Sequence, residues 1–104
     1  MDKKSIGLKK KNITYDHRHP HLRARMRQRG ISLEEINLTI AEGLEAAEAK
    51  PGTFGKVKVF PYNKEWEGQM YKEKEVTVFY KITQSKDIIL LTALARYGEQ
   101  FEWR

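Results

Sequence analysis

A chain of 104 residues, 39% hydrophobic and 33% charged, has room for one domain with a single core. Its 20 lysines and arginines against 14 aspartates and glutamates give a net charge of +6, which favours a polyanionic partner but also occurs in proteins that bind no nucleic acid. The lack of cysteine excludes disulfides and cysteine nucleophiles, and the absence of an apolar span or signal peptide leads us to expect a cytoplasmic protein.

Residues 1–12 are rich in lysine and poor in apolar side chains, so we predict a mobile basic arm, with a solvated tail favoured over a binding element. Residues 13–104 are then one domain. His17, His19 and His21 alternate, as in some metal sites, but Pro20 and a helix start would spread the imidazoles. We therefore predict neither a metal nor another cofactor.

A first helix is predicted from Pro20 to Arg29, with His19 as a weak N-cap. Leu22 and Met26 lie one turn apart and would face the core. His21, Arg25 and Arg29 form an adjacent stripe, which is either an anion-binding surface or a solvated helix face.

The best local signal is the boundary to the second helix. Gly30 suits a left-handed C-cap, and Ser32 with Glu35 forms a capping box, so a helix is predicted from Leu33 to about Glu42. Two helices joined by a short turn could form a DNA-reading helix-turn-helix. The acidic second helix argues against it, because Glu34, Glu35 and Glu42 would face phosphates.

Strands are predicted for the rest of the chain. The predicted segments are a short edge strand within 44–49, a strand over 54–60 with Lys56 and Lys58 on one face, a long polar loop over 61–68, and a strand over 69–82. The most apolar run, 88–95, predicts an interior strand paired antiparallel with its predecessor, a buried helical segment being the alternative. We expect Ile89, Leu91 and Met26 to be buried together, and Phe101 and Trp103 to dock on the core. The predicted fold is α+β, with two N-terminal helices packed on one face of an antiparallel meander.

The block HLRARMRQRGIS, residues 21–32, resembles the signature of the domain-of-unknown-function 4258 family, and Leu91-Thr92-Ala93 resembles its closing strand. The similarity spans roughly residues 21–97. The chain departs from the family at His19, where a serine cap is common. That family in turn resembles the RelE-like toxins and metal-independent bacterial ribonucleases, which implies a RelE-like fold, RNA as a partner and a cognate antitoxin protein.

The resemblance implies acid/base cleavage of RNA by an endoribonuclease. His21 is the candidate general acid or base, and Arg25 the phosphate clamp. Arg96 is the candidate for stabilising the transition state, and Tyr97 for stacking or proton donation. Arg96 and Tyr97 adjoin on a strand and would point in opposite directions, so at most one belongs to a site.

Arg29, Lys56, Lys58 and Tyr80 are the predicted nucleic-acid contacts. The structural alternative has His21 capping the helix, Arg25 paired with Glu75, and the tyrosines in the core. The competing functional hypothesis is a noncatalytic RNA- or protein-binding module of the same fold.

Overall fold

The computed structural model describes residues 13–15 and 22–101, and within these residues the chain forms two helices and a five-stranded sheet. In chain order the elements are β1 (Ile13–Tyr15), α1 (Leu22–Arg29), α2 (Leu33–Glu42), β2 (Leu44–Glu45), β3 (Phe54–Trp66), β4 (Gln69–Ile82) and β5 (Ile88–Gly98). The predicted α+β class is confirmed. The predicted basic arm, the predicted helix start at Pro20, and Trp103 lie outside the described residues.

The strands are ordered β1-β5-β4-β3-β2. The pairs from β2 to β5 are antiparallel as predicted, but β1 lies parallel to β5, with Ile13 opposite Ile88. The sheet is therefore mixed, and the prediction of a purely antiparallel meander is wrong. Three residues are too few to show the alternation that identifies a strand in a sequence.

The turn between the helices has the predicted geometry. Gly30 has a φ of +75°. Its N–H donates to the Arg27 carbonyl at 3.1 Å, and the Ile31 N–H donates to the Met26 carbonyl at 2.8 Å, which is a Schellman motif. The Glu35 N–H donates to Ser32 Oγ at 3.1 Å and the Ser32 N–H donates to Glu35 Oε1 at 3.0 Å, so the capping box is confirmed.

The apolar run forms an interior strand, β5, between β1 and β4, as predicted. The buried residues of this run are Ile88, Leu90 and Ala93, whereas Ile89 and Leu91 are only half-buried, so that part of the prediction is wrong. A run that is apolar on both faces does not reveal which residues point inward. In addition, Leu91 is an unpaired bulge residue, because Phe79 pairs with Thr92 and Tyr80 pairs with Leu90.

The predicted loop over 61–68 is also wrong. β3 continues to Trp66 through a bulge between Pro61 and Lys64, where Asn63 has a φ of 51°. Glu67 and Gly68, with φ values of 50° and 86°, form the two-residue turn to β4. Positive φ at both positions is the geometry of a type I′ hairpin turn, whose twist matches that of the strands it joins.

The helices share one core with the sheet. α1 contacts β5, and α2 contacts β3 and β4. The strand residues Val76, Val78 and Tyr80 alternate along β4, so the core lies on one face of this strand. The buried cluster consists of Leu22, Met26, Ile31, Ile36, Val76, Val78, Tyr80, Ile88, Leu90 and Ala93. In the part of the chain that the structure describes, no helix is long and apolar enough to cross a membrane.

Candidate nucleic-acid interface

Aromatic rings gather where the β3–β4 hairpin meets the end of β5. The ring of Trp66 stacks on that of Tyr97 with centroids 4.7 Å apart and an interplanar angle of 5°. Tyr62 meets Tyr97 edge-on at 5.2 Å, and Tyr71 lies 5.7 Å from it. We call Tyr62, Trp66, Tyr71 and Tyr97 the aromatic cluster. It forms because the hairpin extends to Trp66 instead of ending at Phe60.

The turn after α1 rests on this cluster. The Tyr97 hydroxyl donates to the Arg29 carbonyl at 2.6 Å. A Cβ placed on Gly30 would lie 2.6 Å from Trp66 Cζ3 and 2.7 Å from the Tyr97 hydroxyl. A residue without a side chain is therefore needed at position 30 for contact as well as for its φ. The end of α1 is thereby held against the hairpin.

Lys74 ties the same turn to the sheet. Its Nζ donates to the Gly30 carbonyl, and to both Glu35 carboxylate oxygens at 2.9 Å, while only 4% of its side chain is exposed. It also lies 5.6 Å from the ring centroids of Tyr62 and of Tyr97. A buried ammonium held by a carboxylate, a carbonyl and two ring faces is a structural link and leaves little of its charge for a ligand.

The phenol of Tyr97 resists ionisation. Its pKa is raised above the ordinary value of 10.0, first because the ring is buried and then because of the neighbouring Tyr62, Glu35 and Glu67. Tyr97 is therefore a hydrogen-bonded neutral phenol in neutral solution.

A cleft of about 340 Å³ opens between α1 and the hairpin, and we call it the arginine–aromatic cleft. Its lining consists of Gln28, Arg29, Trp66, Glu67, Tyr71, Ala95 and Tyr97. Arg29 is half-buried and donates from Nη1 to the Ala93 carbonyl at 2.7 Å, so its guanidinium is anchored to β5.

Arg25 lies on the flank of α1 that borders this cleft. It precedes Gln28 by three residues and Arg29 by four, which places the three side chains on adjoining positions of one helix surface. Arg25 is exposed to solvent. Arg23 and Arg27 are also exposed but lie on the other flank, beyond the buried stripe of Leu22 and Met26. Of the predicted stripe, Arg29 lines the cleft with the aromatic rings, and Arg25 lies one turn before it on the exposed side of α1.

The predicted catalytic set does not come together on one face. Arg96 donates from Nε and Nη2 to Glu75 at 2.7 and 3.1 Å, on the face of the sheet opposite Tyr97. The expected divergence of Arg96 and Tyr97 is thus present. Glu75 is bound by Arg96, although the structural alternative had paired it with Arg25. His21 lies outside the described residues.

Lys56, Lys58 and Tyr80, predicted to contact nucleic acid, lie away from the arginine–aromatic cleft. Lys58 Nζ lies 3.3 Å from Glu42 on α2. Because α1 contacts β5 while α2 lies over β3 and β4, α2 separates the arginines of α1 from the β3 lysines. The single basic surface predicted from these residues is therefore not formed. Tyr80 is 4% exposed and stacks on Phe54 at 5.7 Å, so it belongs to the core.

A second, larger cleft of about 670 Å³ lies on the opposite face of the sheet. Its apolar side chains include Val57, Phe79 and Leu94, and Glu45 and Glu48 also line it. The Glu75 carboxylate is 6% exposed there, whereas the Arg96 side chain is 66% exposed. Carboxylates in this lining make the face unfavourable for phosphates.

Sequence reasoning missed Gln28, Trp66, Glu67, Tyr71 and Lys74 as parts of a site. The pair Glu67-Gly68 could have indicated the hairpin, because a glycine in the second position between two alternating segments is typical of a two-residue hairpin turn. Over the described ranges, 13–15 and 22–101, no group of His, Asp or Glu side chains could hold a metal ion.

Comparison with family models, curated proteins and solved structures finds no match to this chain. The resemblance of residues 21–32 to the domain-of-unknown-function 4258 signature therefore stays a prediction.

Proposed function

We propose that the protein binds single-stranded RNA in the arginine–aromatic cleft. The observation that supports the proposal is the meeting of Gln28 and Arg29 of α1 with Trp66 and Tyr71 of the hairpin at one cleft. The exposed Arg25 lies one helical turn before Arg29 on the same flank of α1. Guanidinium groups contact phosphates, and aromatic rings stack on unpaired bases. The net charge of +6 adds long-range attraction for a polyanion.

The two arginines have different tasks in the proposed complex. The exposed Arg25 would contact a phosphate, whereas Arg29 donates to the Ala93 carbonyl and holds α1 to β5. Trp66 and Tyr71 supply the stacking surface, which is fixed because Trp66 rests on Tyr97 and Gly30. A rigid platform loses little side-chain entropy when a base stacks on it.

The proposal is tested by titrating a fluorescein-labelled oligouridine of about ten nucleotides at increasing salt. Binding should weaken with salt, with a slope near 0.7 for each phosphate contact. Arg25→Ala should weaken binding and lower that slope by about 0.7, because one contact is lost. Arg27→Ala is the matched control: it removes the same charge from an exposed position on the other flank of α1, so the slope should stay nearer that of the wild type.

A titration with no binding at about 50 mM salt, or with binding insensitive to salt, would contradict the proposal. Equal slopes for Arg25→Ala and Arg27→Ala would show that only net charge matters and would remove the cleft from it. Failure of RNA binding would favour the noncatalytic protein-binding module. The larger cleft on the opposite face supports that alternative, and its carboxylates suit a basic or apolar segment better than an acidic antitoxin.

Metal-independent cleavage of the bound RNA is a separate prediction. Its general acid or base would be His21, four residues before Arg25, and the position of Arg96 on the opposite face argues against a role for that arginine. In excess EDTA, His21→Ala should keep most RNA affinity and lose about 10²- to 10⁴-fold in cleavage rate. Cleavage abolished by EDTA in the wild type, or unchanged in His21→Ala, would contradict the mechanism.

A RelE-like architecture and an antitoxin partner are part of the same proposal. The order of two helices followed by the antiparallel strands β3, β4 and β5 supports the architecture. Strand β1, which lies parallel to β5, is not part of that antiparallel order.

A further inference from the structure

Glu67 is an acidic residue inside a surface that we propose contacts phosphates. It lines the arginine–aromatic cleft at the hairpin turn, in the left-handed conformation with a φ of 50°. Asparagine, aspartate and glycine are the usual residues in such a turn, and a long side chain there is strained. A carboxylate repels phosphates, so the Glu67 carboxylate suits a part of the ligand that donates hydrogen bonds.

The bases differ in what they offer a carboxylate. Guanine has two adjacent donors on its Watson–Crick edge, N1–H and the N2 amino group, followed by the O6 acceptor. Adenine and cytosine each offer a single amino group there, and uracil offers a single N3–H. A carboxylate can therefore accept two parallel hydrogen bonds from guanine but from no other standard base.

We infer that the arginine–aromatic cleft selects guanine, with the Glu67 carboxylate accepting from N1–H and N2–H and the Gln28 amide donating to O6. The inference rests on the proposed RNA binding and specifies its base preference. Glu67 and Gln28 line the same cleft from the hairpin and from α1. Trp66 and Tyr71 provide the ring surface on which the base stacks.

The size of the cleft fits one base. Its volume of about 340 Å³ is near the lower end of the range of ligand pockets, about 300–1,000 Å³, so it suits a single ring system and not several stacked nucleotides. The neighbouring phosphate would lie toward the exposed Arg25, outside the cleft. Glu67 thus meets the base while the arginine meets the backbone, and the opposite charges do not compete for one group.

The test compares labelled octamers of uridine that carry at one central position uridine, adenosine, guanosine or inosine. Inosine keeps N1–H and O6 but lacks the N2 amino group. The wild type should bind the guanosine oligomer about tenfold more tightly than the adenosine or uridine oligomer, with inosine between them. Glu67→Gln should remove most of this preference without weakening binding to oligouridine, because it removes a negative charge. Glu65→Gln, on the exposed part of β3, is the charge-matched control and should keep the preference.

The outcomes separate the two claims. Equal, salt-dependent binding of all four oligomers would overturn guanine selection and leave RNA binding intact. A guanosine preference unchanged in Glu67→Gln would overturn the role of Glu67. Absence of binding to any oligomer at about 50 mM salt would overturn RNA binding and the inference with it.

Discussion

The ammonium group of Lys74 is buried, with 4% of the side chain exposed, and the Glu35 carboxylate compensates its charge. Removing the lysine leaves the Glu35 carboxylate, which is 22% exposed, without its cation and the Gly30 carbonyl without its donor. We expect Lys74→Ala to lower the free energy of unfolding by about 2–3 kcal/mol, measured by urea denaturation. Lys72→Ala is the matched control, because this lysine is 73% exposed and its Nζ lies 4.0 Å from Glu99. It should change the stability by less than about 0.5 kcal/mol.

The same pair can be tested by replacing both partners. Lys74→Met with Glu35→Gln should recover part of the stability lost in Lys74→Ala, because no unpaired charge remains and a glutamine at this position can still accept from the Ser32 N–H in the capping box. If Lys74→Ala lowered the free energy of unfolding no more than Lys72→Ala, the ion pair with Glu35 would contribute little to stability. If the double variant were less stable than Lys74→Ala, the ion pair would contribute more to stability than it costs to remove its two charges from water.

Among the elements, the turn between α1 and α2 depends most on one residue. In Gly30→Ala the new Cβ sits on a backbone with positive φ and clashes with the side chains of Trp66 and Tyr97. In Gly52→Ala the φ is also positive, +84°, but no atom lies within 4 Å of the new Cβ. We expect Gly52→Ala to cost about 1 kcal/mol from backbone strain alone. Gly30→Ala should cost about 3 kcal/mol, because overpacking adds to the same strain.

Urea denaturation of both glycine variants measures this difference, and the tryptophan fluorescence should shift in Gly30→Ala as the Trp66 ring is displaced. Equal losses of stability in the two variants would mean that the rings move aside at no cost. The docking of the turn on the aromatic cluster would then not contribute to stability.

The sequence predicted some elements of the fold better than others. The helix boundary was predictable because Gly30, Ser32 and Glu35 act through bonds within a few residues of one another. The inward face of β5 was not, because Ile89 and Leu91 are as apolar as Ile88 and Leu90 and a bulge changes the alternation. β1 was missed because its pairing with β5 is not visible locally.

The candidate site was less predictable than the fold. The stripe of Arg25 and Arg29 follows from helical spacing, and its last residue, Arg29, lines the cleft. The aromatic half depends on the extension of β3 beyond Phe60, on the bulge near Asn63 and on the turn at Glu67, which together bring Trp66 to Tyr97. Lys56 and Lys58 were assigned to the same surface because a sequence does not show that α2 would lie between them and α1.

At the scale of the whole molecule, stability should fall at high pH. Burial raises the pKa of Tyr97, and also that of Tyr80, above the ordinary 10.0. Both phenols favour the folded protein only while neutral. Their contribution is therefore complete below pH 10, where unfolded tyrosine is also neutral, and is lost as the pH rises toward the raised native pKa.

Urea midpoints measured between about pH 8 and pH 11 test this dependence. Above pH 10 the urea midpoint should fall less steeply with pH in Tyr97→Phe than in the wild type. Tyr97→Phe also loses the hydrogen bond to the Arg29 carbonyl, so its midpoint at pH 8 should be lower. Tyr71→Phe removes a hydroxyl from the same aromatic cluster and serves as the control. Parallel declines in the wild type and Tyr97→Phe would exclude Tyr97 as the cause.

The position of β5 in the sheet also governs when the fold can assemble during synthesis. β5 pairs with both β1 and β4 and provides Leu90 and Ala93, which share the core with Leu22 and Met26 of α1. Until β5 has left the ribosome, α1 lacks the strand that it packs against most, and Ile13 lacks its partner Ile88. A nascent chain of this kind completes its core late, and we expect the apolar side chains that it exposes until then to make the unfinished chain prone to aggregation.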